Sequence, residues 1–465
     1  MTTALPSPTR LRAVIDALES GLLERDAAVR LALLAALAGE HILLIGPPGT
    51  AKSELARRLH RAFAGARYFE RLLTRFSTPE ELFGPLSLKA LEDDRYERLI
   101  DGFLPTAGIA FLDEVFKANS AILNALLTLL NEREFDNGSG RLRAPLVSVL
   151  AASNEVPVDE ALHAFYDRFL LRVPVAPVSD EAFPALLSLQ PGTAALPDAL
   201  TAAERGAVTA ATASVALSEG ARQGFTALRR WLGEHELVVS DRRWRQWIGL
   251  MRTMAATEGR PEVDAVDLWA APYVVSPTPA WAPRIAQWFQ RDWLGAVPQE
   301  APWLTRAVEA FEKQLEIEQA APTDGHAEDG AGKLALARAI GRGEEGEAML
   351  RIVSPTLEHA LRRRYSSVHV AARTAQVDEV LALAAAARAE AEAAHAQLAA
   401  ALATRLWMPA SLVQGLLGAH LQTLQTLALL VARLQHSRAG FAALPVDDGL
   451  PDAAPAAIEL DSATR

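Results

Sequence analysis

Cysteine is absent from all 465 residues, which excludes disulfides and thiolate-bound metal sites and fits a reducing cytosol. Long hydrophobic runs are missing too. The most apolar stretches, Leu31 to Gly39 and Leu427 to Leu434, are short or bounded by charge, whereas a helical membrane span needs about 20 apolar residues. The opening residues, Met1 to Ser20, carry no continuous apolar segment and no export cleavage pattern. Cationic charge is in deficit: 46 Lys and Arg face 57 Asp and Glu, a net charge of −11, so the basic surface on which duplex DNA binding rests is lacking. These absences lead us to expect a cytoplasmic protein with no membrane span and no nucleic-acid ligand. The length allows roughly two to four domains and a large core.

What is present is organised around His41 to Ser53, HILLIGPPGTAKS. The apolar run Ile42 to Ile45 reads as a strand that enters a Gly- and Pro-rich turn and then, directly, the helical pattern ELARRLHRAF. Strand, tight loop, Lys plus hydroxyl, helix is the P-loop order, in which backbone N–H groups surround phosphates, Lys reaches the β and γ phosphates, and the hydroxyl ligates Mg²⁺. The loop is Gly46, Pro47, Pro48, Gly49, Thr50, Ala51, Lys52 and Ser53, with Lys52 as cation and Ser53 as metal ligand. The generic motif has Gly where this chain has Ala51. A methyl group is tolerated there if φ stays negative, so negative φ is the expectation.

Ile109 to Glu114, IAFLDE, is an apolar run ending in two carboxylates, as a buried parallel strand with acids at its carboxyl end would be. In P-loop ATPases the first acid, here Asp113, holds Mg²⁺, and the second, Glu114, polarises the attacking water. A further strand, LVSVLAASN, ends in Asn154, whose amide would orient that water. Arg168, between the helix DEALHAFY and the strand LLRVPV, is a candidate arginine finger for a neighbouring subunit, with Arg172 as the alternate. Ser240 caps a helix whose first turn holds Arg242 and Arg243. Cations there oppose the helix macrodipole and ask for an anion, which a γ-phosphate would supply. Arg242 is the first choice for that contact, in cis, and Arg243 the second.

Helical periodicity marks Leu11 to Leu37, with a break near Gly21, and Ser120 to Glu134. Phe69 to Leu73 reads as a second core strand, and Ser77 with Glu80 as a capping box. Pro85 to Pro105 reads as a β-hairpin and DNGSG as a hairpin turn. Eight of nine Trp lie between Trp231 and Trp303, and Trp244 and Trp247 share a helix face suited to core packing. Pro322 to Lys333 reads as a loop or linker, and LRIV and SSVHVAA as short strands. Leu398, Leu402 and Leu406, then Leu417, Leu421, Leu424, Leu427, Val431 and Leu434, give the stripes of a helical hairpin or bundle broken at Pro409. The expected fold is an α/β P-loop core, residues 1–178, with a parallel sheet flanked by helices. An all-helical lid, 179–275, and a mainly helical C-terminal module, 276–445, with a loop or small insert near 320–370, would follow. Residues 446–465 are expected to be disordered.

Taken together, the motifs resemble the AAA+ ATPases of the MoxR family and, within it, the RavA-like group. GPPGTAKS is similar to that family's Walker A, including the Ala; LDEVFKANSAILNALLTLLNEREF resembles its Walker B and following helix. SNEVP resembles sensor 1, FYDRFLLRV the arginine-finger segment, and VSDRRW sensor 2. The resemblance covers about Leu11 to Tyr273. It implies a homo-hexameric ring that hydrolyses ATP with Mg²⁺ at subunit interfaces, a partner carrying a von Willebrand factor A domain, and chaperone-like remodelling of, or cofactor insertion into, a client protein. It also implies that Pro85 to Pro105 is a helix-2 insert and Glu134 to Pro145 a pre-sensor-1 hairpin, both facing the pore. Gly325 to Glu347 shows no compact insert of the kind RavA uses to hold its decarboxylase. The alternative is a nucleic-acid-dependent motor, McrB-like or helicase-like, against which the acidic balance and the lack of a basic or zinc module argue.

Overall fold

A computed structural model of the protein describes residues 4–138, 140–189, 196–321 and 363–458. It divides into two compact units, one of residues 1–295 with 401–414 and the other of 296–400 with 415–465.

The first unit is built on a five-stranded parallel sheet. Its strands are β1 (Ile42–Ile45), β2 (Tyr68–Leu72), β3 (Ile109–Asp113), β6 (Ser148–Ser153) and β7 (Leu171–Pro174). A separate hairpin pairs β4 (Glu134–Asn137) with β5 (Gly140–Arg143). The sheet order is β2-β3-β6-β1-β7, so the strands carrying the P-loop, the acid pair and Asn154 are neighbours. Burial on both faces explains their unbroken apolar runs: β1 and β6 are buried throughout. Each crossover is a helix with one apolar stripe, such as Ser120–Glu132, which buries Ile122, Leu126 and Leu129 and is capped by Asn119 Oδ1 accepting from Ile122 N at 3.1 Å.

Two local expectations are corrected. Pro85 to Pro105 is not a hairpin. Leu86 and Arg98 make one isolated bridge around a short helix, Leu88–Glu92, capped by Ser87. Its apolar residues are largely exposed, Leu88 at 76% and Leu99 at 57%. Ser77 forms no capping box, because its Oγ accepts from Thr74 N and Thr78 is the residue at the N-cap of Pro79–Phe83. The segment is tied to the β4–β5 hairpin: Arg98 N donates to Asn137 Oδ1 at 2.7 Å, and Asn137 Nδ2 donates to Arg98 O at 3.2 Å.

The helices Ala202–Ser214, Glu219–Glu234 and Asp241–Thr257 form the lid. Trp247 is fully buried and stacks on Trp244 at 5.7 Å, a core role. The unit does not end near residue 275. It continues through Gly295, and residues 401–414 also belong to it. Arg405 explains why. Its guanidinium donates to Asp267 at 2.8 Å and to Asp264, while Arg260 donates to Asp267 at 2.7 and 2.9 Å. Trp407, fully buried, donates from Nε1 to Thr257 Oγ1 at 2.8 Å.

The second unit has a core of Leu304, Val308, Phe311 and Leu315 from Pro302–Ala320, Val377 and Val380 from Ser367–Ala403, and Leu427, Leu430, Leu434 and Phe441 from Ala410–Ala442. The last helix is long and apolar enough to cross a membrane by length and composition. Its Leu427, Leu430, Leu434 and Phe441 pack in the core with the two other helices, while Leu421 and Leu429 are exposed. SSVHVAA is the start of a helix rather than a strand. The buried stripe runs Leu416, Ala419, Thr423, Leu427, one position off the expected Leu417, Leu421, Leu424 row at its start, so Leu421 is exposed. Part of the segment expected to be disordered is packed: Asp447 N donates to Tyr365 O at 2.9 Å, and Ile458 lies against the core. Pro322 to Lys333, Gly325 to Glu347, LRIV and residues 459–465 of the expected tail lie outside the described residues.

Candidate nucleotide site

The loop from Gly46 to Ala51 is held from several sides. Gly46 N donates to Ser153 O at 3.0 Å, and a Cβ on Gly46 would meet Val175 O at 2.0 Å, so only Gly fits there. Gly49 has φ +80° with open space around it. Thr50 Oγ1 donates to Pro47 O at 3.0 Å. Arg25, which sequence reading missed, supports the loop from behind: its Nε donates to Thr50 O at 3.1 Å and its Nη2 to Ala176 O at 2.6 Å. The available signal was a cation at a helix N-cap, where it opposes the dipole.

Ala51 departs from expectation. Its φ is +64° and ψ 22°, the left-handed region, so the methyl group is accommodated under strain rather than by a negative φ. The residue is the N-cap of the helix Lys52–Arg61, whose amino end favours an anion. Lys52 Nζ donates to Gly46 O and Pro47 O, each at 2.8 Å. Burial pulls its pKa below the ordinary lysine range, with Asp113 and Glu114 opposing. Ser53 follows in the first helical turn, partly exposed.

Asp113 closes β3, and its Oδ1 accepts from Glu114 N at 3.0 Å. Glu114 is also left-handed, φ +53°, which turns its side chain away from the strand line. Its Oε1 accepts from Asn154 Nδ2 at 2.7 Å and lies 3.3 Å from Lys117 Nζ, a second residue sequence reading missed. Asn154 is fixed by the turn in which Ser153 Oγ donates to Glu155 O at 2.7 Å. The carboxyl ends of three adjacent strands thus bring together Lys52, Asp113, Glu114 and Asn154.

The arginines are elsewhere. Arg168 lies three residues before Leu171, which pairs with Ile42 at the amino end of β1. Arg242 donates to Asn131 Oδ1 at 2.9 Å, at the end of the helix that runs back from the carboxyl edge. The two share one neighbourhood: burial first, then the charge of Arg242, lowers the Arg168 pKa. Both sit at the amino edge of the sheet, a strand length of about 13 Å from the P-loop edge. Arg242, expected in cis, is thus not at the P-loop edge of its own copy in this structure. The alternates are committed to the fold. Arg243 is buried and donates to Asp167 Oδ1, Leu170 O, Val274 O and Phe169 O, so its compensating anion is internal. Arg172 is buried 3.8 Å over the Tyr166 ring and donates to Ser276 O.

A parallel sheet of this order, a P-loop after its central strand, an acid pair on one neighbour and a helical lid define the AAA+ class of P-loop proteins. Residues 9–205 match the family described as the MoxR domain in the MoxR-vWA-beta-propeller ternary systems, and residues 223–289 match the AAA lid domain. The chain belongs to the MoxR family of AAA+ ATPases. Two uncharacterised proteins of Methanocaldococcus jannaschii, MJ0079 and MJ0812, are 41% and 40% identical to it over 56% of this chain, covering 68% and 69% of their own lengths. Protein MoxR of Paracoccus denitrificans is 32% identical over 37% of this chain and 52% of its own length. The solved structure of a putative ATPase from Cytophaga hutchinsonii aligns with a TM-score of 0.47 at 19% identity, covering 58% of this chain and 86% of that one.

Proposed function

We propose that the protein is a RavA-like, Mg²⁺-dependent motor that hydrolyses ATP to ADP and phosphate at the subunit interfaces of a homo-hexameric ring. The observation that carries this reading is the split between the two sheet edges: phosphate- and water-handling groups on one, Arg168 and Arg242 on the other. A second copy of the chain completes the site, with its amino edge facing the first copy's P-loop. Lys52 and the N–H groups of Gly49 to Ser53 hold the phosphates. The hydroxyl of Ser53 and the carboxylate of Asp113 are hard oxygen donors and few in number, which fits Mg²⁺, an ion that completes its shell with phosphate oxygens and water. Bound there, the ion would neutralise phosphate charge. Glu114 accepts a proton from the attacking water, and Asn154, already on its Oε1, orients that carboxylate. Arg168 and Arg242 of the neighbour stabilise charge on the transferred group.

The partner of this motor is a protein with a von Willebrand factor A domain, in line with the ternary systems that name the matching family, and its client is a protein complex that it remodels in the cytoplasm. The exposed Leu88, Tyr96 and Leu99, laced to the β4–β5 hairpin, supply an apolar surface for pore contacts. Steady-state phosphate release by the full chain with Mg²⁺ tests the reading. Turnover should fall to background in Glu114→Gln while ATP still binds and the ring stays assembled; near-normal turnover in that variant would remove Glu114 from the chemistry.

A further inference from the structure

Beneath the sheet, on the edge away from the P-loop, lies a cavity of about 740 Å³. Gly108 and Val147, which precede β3 and β6, form its roof, and Arg67, Arg143, Arg205 and Asp101 line it. Its volume is in the range of small-ligand sites. The charges around it do not balance. Arg67 is paired with Asp101. Arg143 and Arg205 have no carboxylate partner among the described residues, and Arg205 Nη1 is buried without an acceptor. Phe63 offers Arg205 only a ring, 5.6 Å from its guanidinium carbon. A third guanidinium, Arg133, stands behind them, donating to Gly39 O at 2.5 Å and Val147 O at 3.2 Å.

Burial first and Arg133 second lower the pKa of Arg205; Arg133 itself is lowered by burial, opposed by Glu40, and feels Arg143 after that, so Glu40 offsets Arg133 and the unbalanced cations are Arg143 and Arg205. Like charges gathered at a cavity, with a buried N–H left over, store an electrostatic cost that an anion would relieve. Ala202, the first residue of the helix Ala202–Ser214, also lines the cavity, and that helix end favours negative charge. Glu204 of the same turn is turned away, held by Arg10 and Thr201.

We propose that this cavity is a second ligand site, separate from the P-loop, for a small phosphorylated molecule whose phosphoryl oxygens are held by Arg143 and Arg205. Guanidinium forks suit phosphate because they donate two parallel N–H bonds.

The test uses the full chain carrying Lys52→Ala, so that the P-loop is weakened and any binding left there is indifferent to Arg143→Gln, and titrates inorganic pyrophosphate by calorimetry. A saturable site that weakens at least tenfold on adding Arg143→Gln or Arg205→Gln is the expected result. Arg143 is exposed, so its substitution leaves the melting temperature unchanged and carries the test alone should Arg205→Gln misfold. Absence of saturable binding, or binding indifferent to Arg143→Gln, overturns the proposal. So does equal affinity for tricarballylate, which would make the site a general anion sink. Because the background lacks Lys52, failure here leaves the ATPase reading standing, and failure of the ATPase leaves this site standing.

Discussion

At the scale of single residues, two features make measurable demands. Ala51 sits at positive φ, which costs a non-Gly residue about 1–2 kcal/mol. Ala51→Gly removes that cost but loosens the unfolded chain by about 0.4–1 kcal/mol. The net is a gain of about 0.5 kcal/mol, read as a slightly higher urea midpoint with nucleotide binding retained. A loss of a kilocalorie or more would mean the loop does not adopt this conformation. The second feature is the pair Glu40 and His41. Val149 N donates to His41 Nδ1 and Nε2 lies 3.1 Å from Leu130 O, so the ring is held neutral; burial, then Arg133, lowers its pKa to about 4. Burial raises Glu40 to about 7, against Arg133. On acidification below its usual value near 6.5, the unfolded His41 takes up a proton that the folded one refuses, so its share of stability is present above that pH and lost down to about 4. Glu40 acts oppositely, since the folded carboxyl holds its proton up to about 7 and its burial costs stability above that. The two contributions offset each other between about pH 4.5 and 6.5. In Glu40→Gln the offset disappears, and urea unfolding should show a loss of about 3 kcal/mol from pH 7 to pH 4 that the parent lacks. Parallel curves for the two proteins would refute this.

At the scale of elements, the lid is tied to the sheet chiefly by Arg243, beside single hydrogen bonds from Arg242 to Asn131 and from Gln246 to Glu40. Arg243 spans from the helix Asp241–Thr257 to Asp167, Leu170 O and Phe169 O before β7; removing it takes the donor from Leu170 O and Phe169 O, while Asp167, about a third exposed, keeps Arg172. Arg243→Ala is expected to cost about 1–3 kcal/mol, as leaving buried carbonyl acceptors unpaired does. Arg242→Ala, exposed and bonded only to Asn131, should leave the melting temperature within a degree or so. Equal effects of the two substitutions would contradict the assignment. The same helix shows what was legible in the sequence. The strand ends that carry Lys52, Asp113, Glu114 and Asn154 could be read because a buried parallel strand is a continuous apolar run and its polar terminus stands out. The cap by Ser240 was equally visible. Which of two adjacent arginines points inward was not, because that depends on Asp167, distant in sequence and brought near only by the fold. Arg405 was hidden for the same reason: its partners Asp264 and Asp267 are named by no local pattern, and a domain boundary drawn from composition left residues 401–414 outside the unit they belong to.

At the scale of the whole molecule, the separation of the two sheet edges means that one copy does not bring its own Arg168 to its own Lys52. A ring joined head to tail satisfies both edges at every interface. Mixing then becomes informative, because Lys52→Ala spoils the P-loop half of a site and Arg168→Ala the arginine half. Each variant alone should be inactive. Mixed equally and assembled at random, about one interface in four pairs an intact P-loop with an intact arginine, so ATP turnover should recover to about a quarter of the parent value. The double variant Lys52→Ala/Arg168→Ala, mixed with Arg168→Ala, offers no intact arginine and should recover nothing. Failure of the first mixture at every ratio would place Arg168 in cis and dissolve the reason for a ring. The same design decides Arg242: recovery when Arg242→Ala is mixed with Lys52→Ala follows from its position beside Arg168, whereas no recovery would require the lid to swing across the sheet and deliver Arg242 to its own P-loop, breaking the Arg243 fastening on the way.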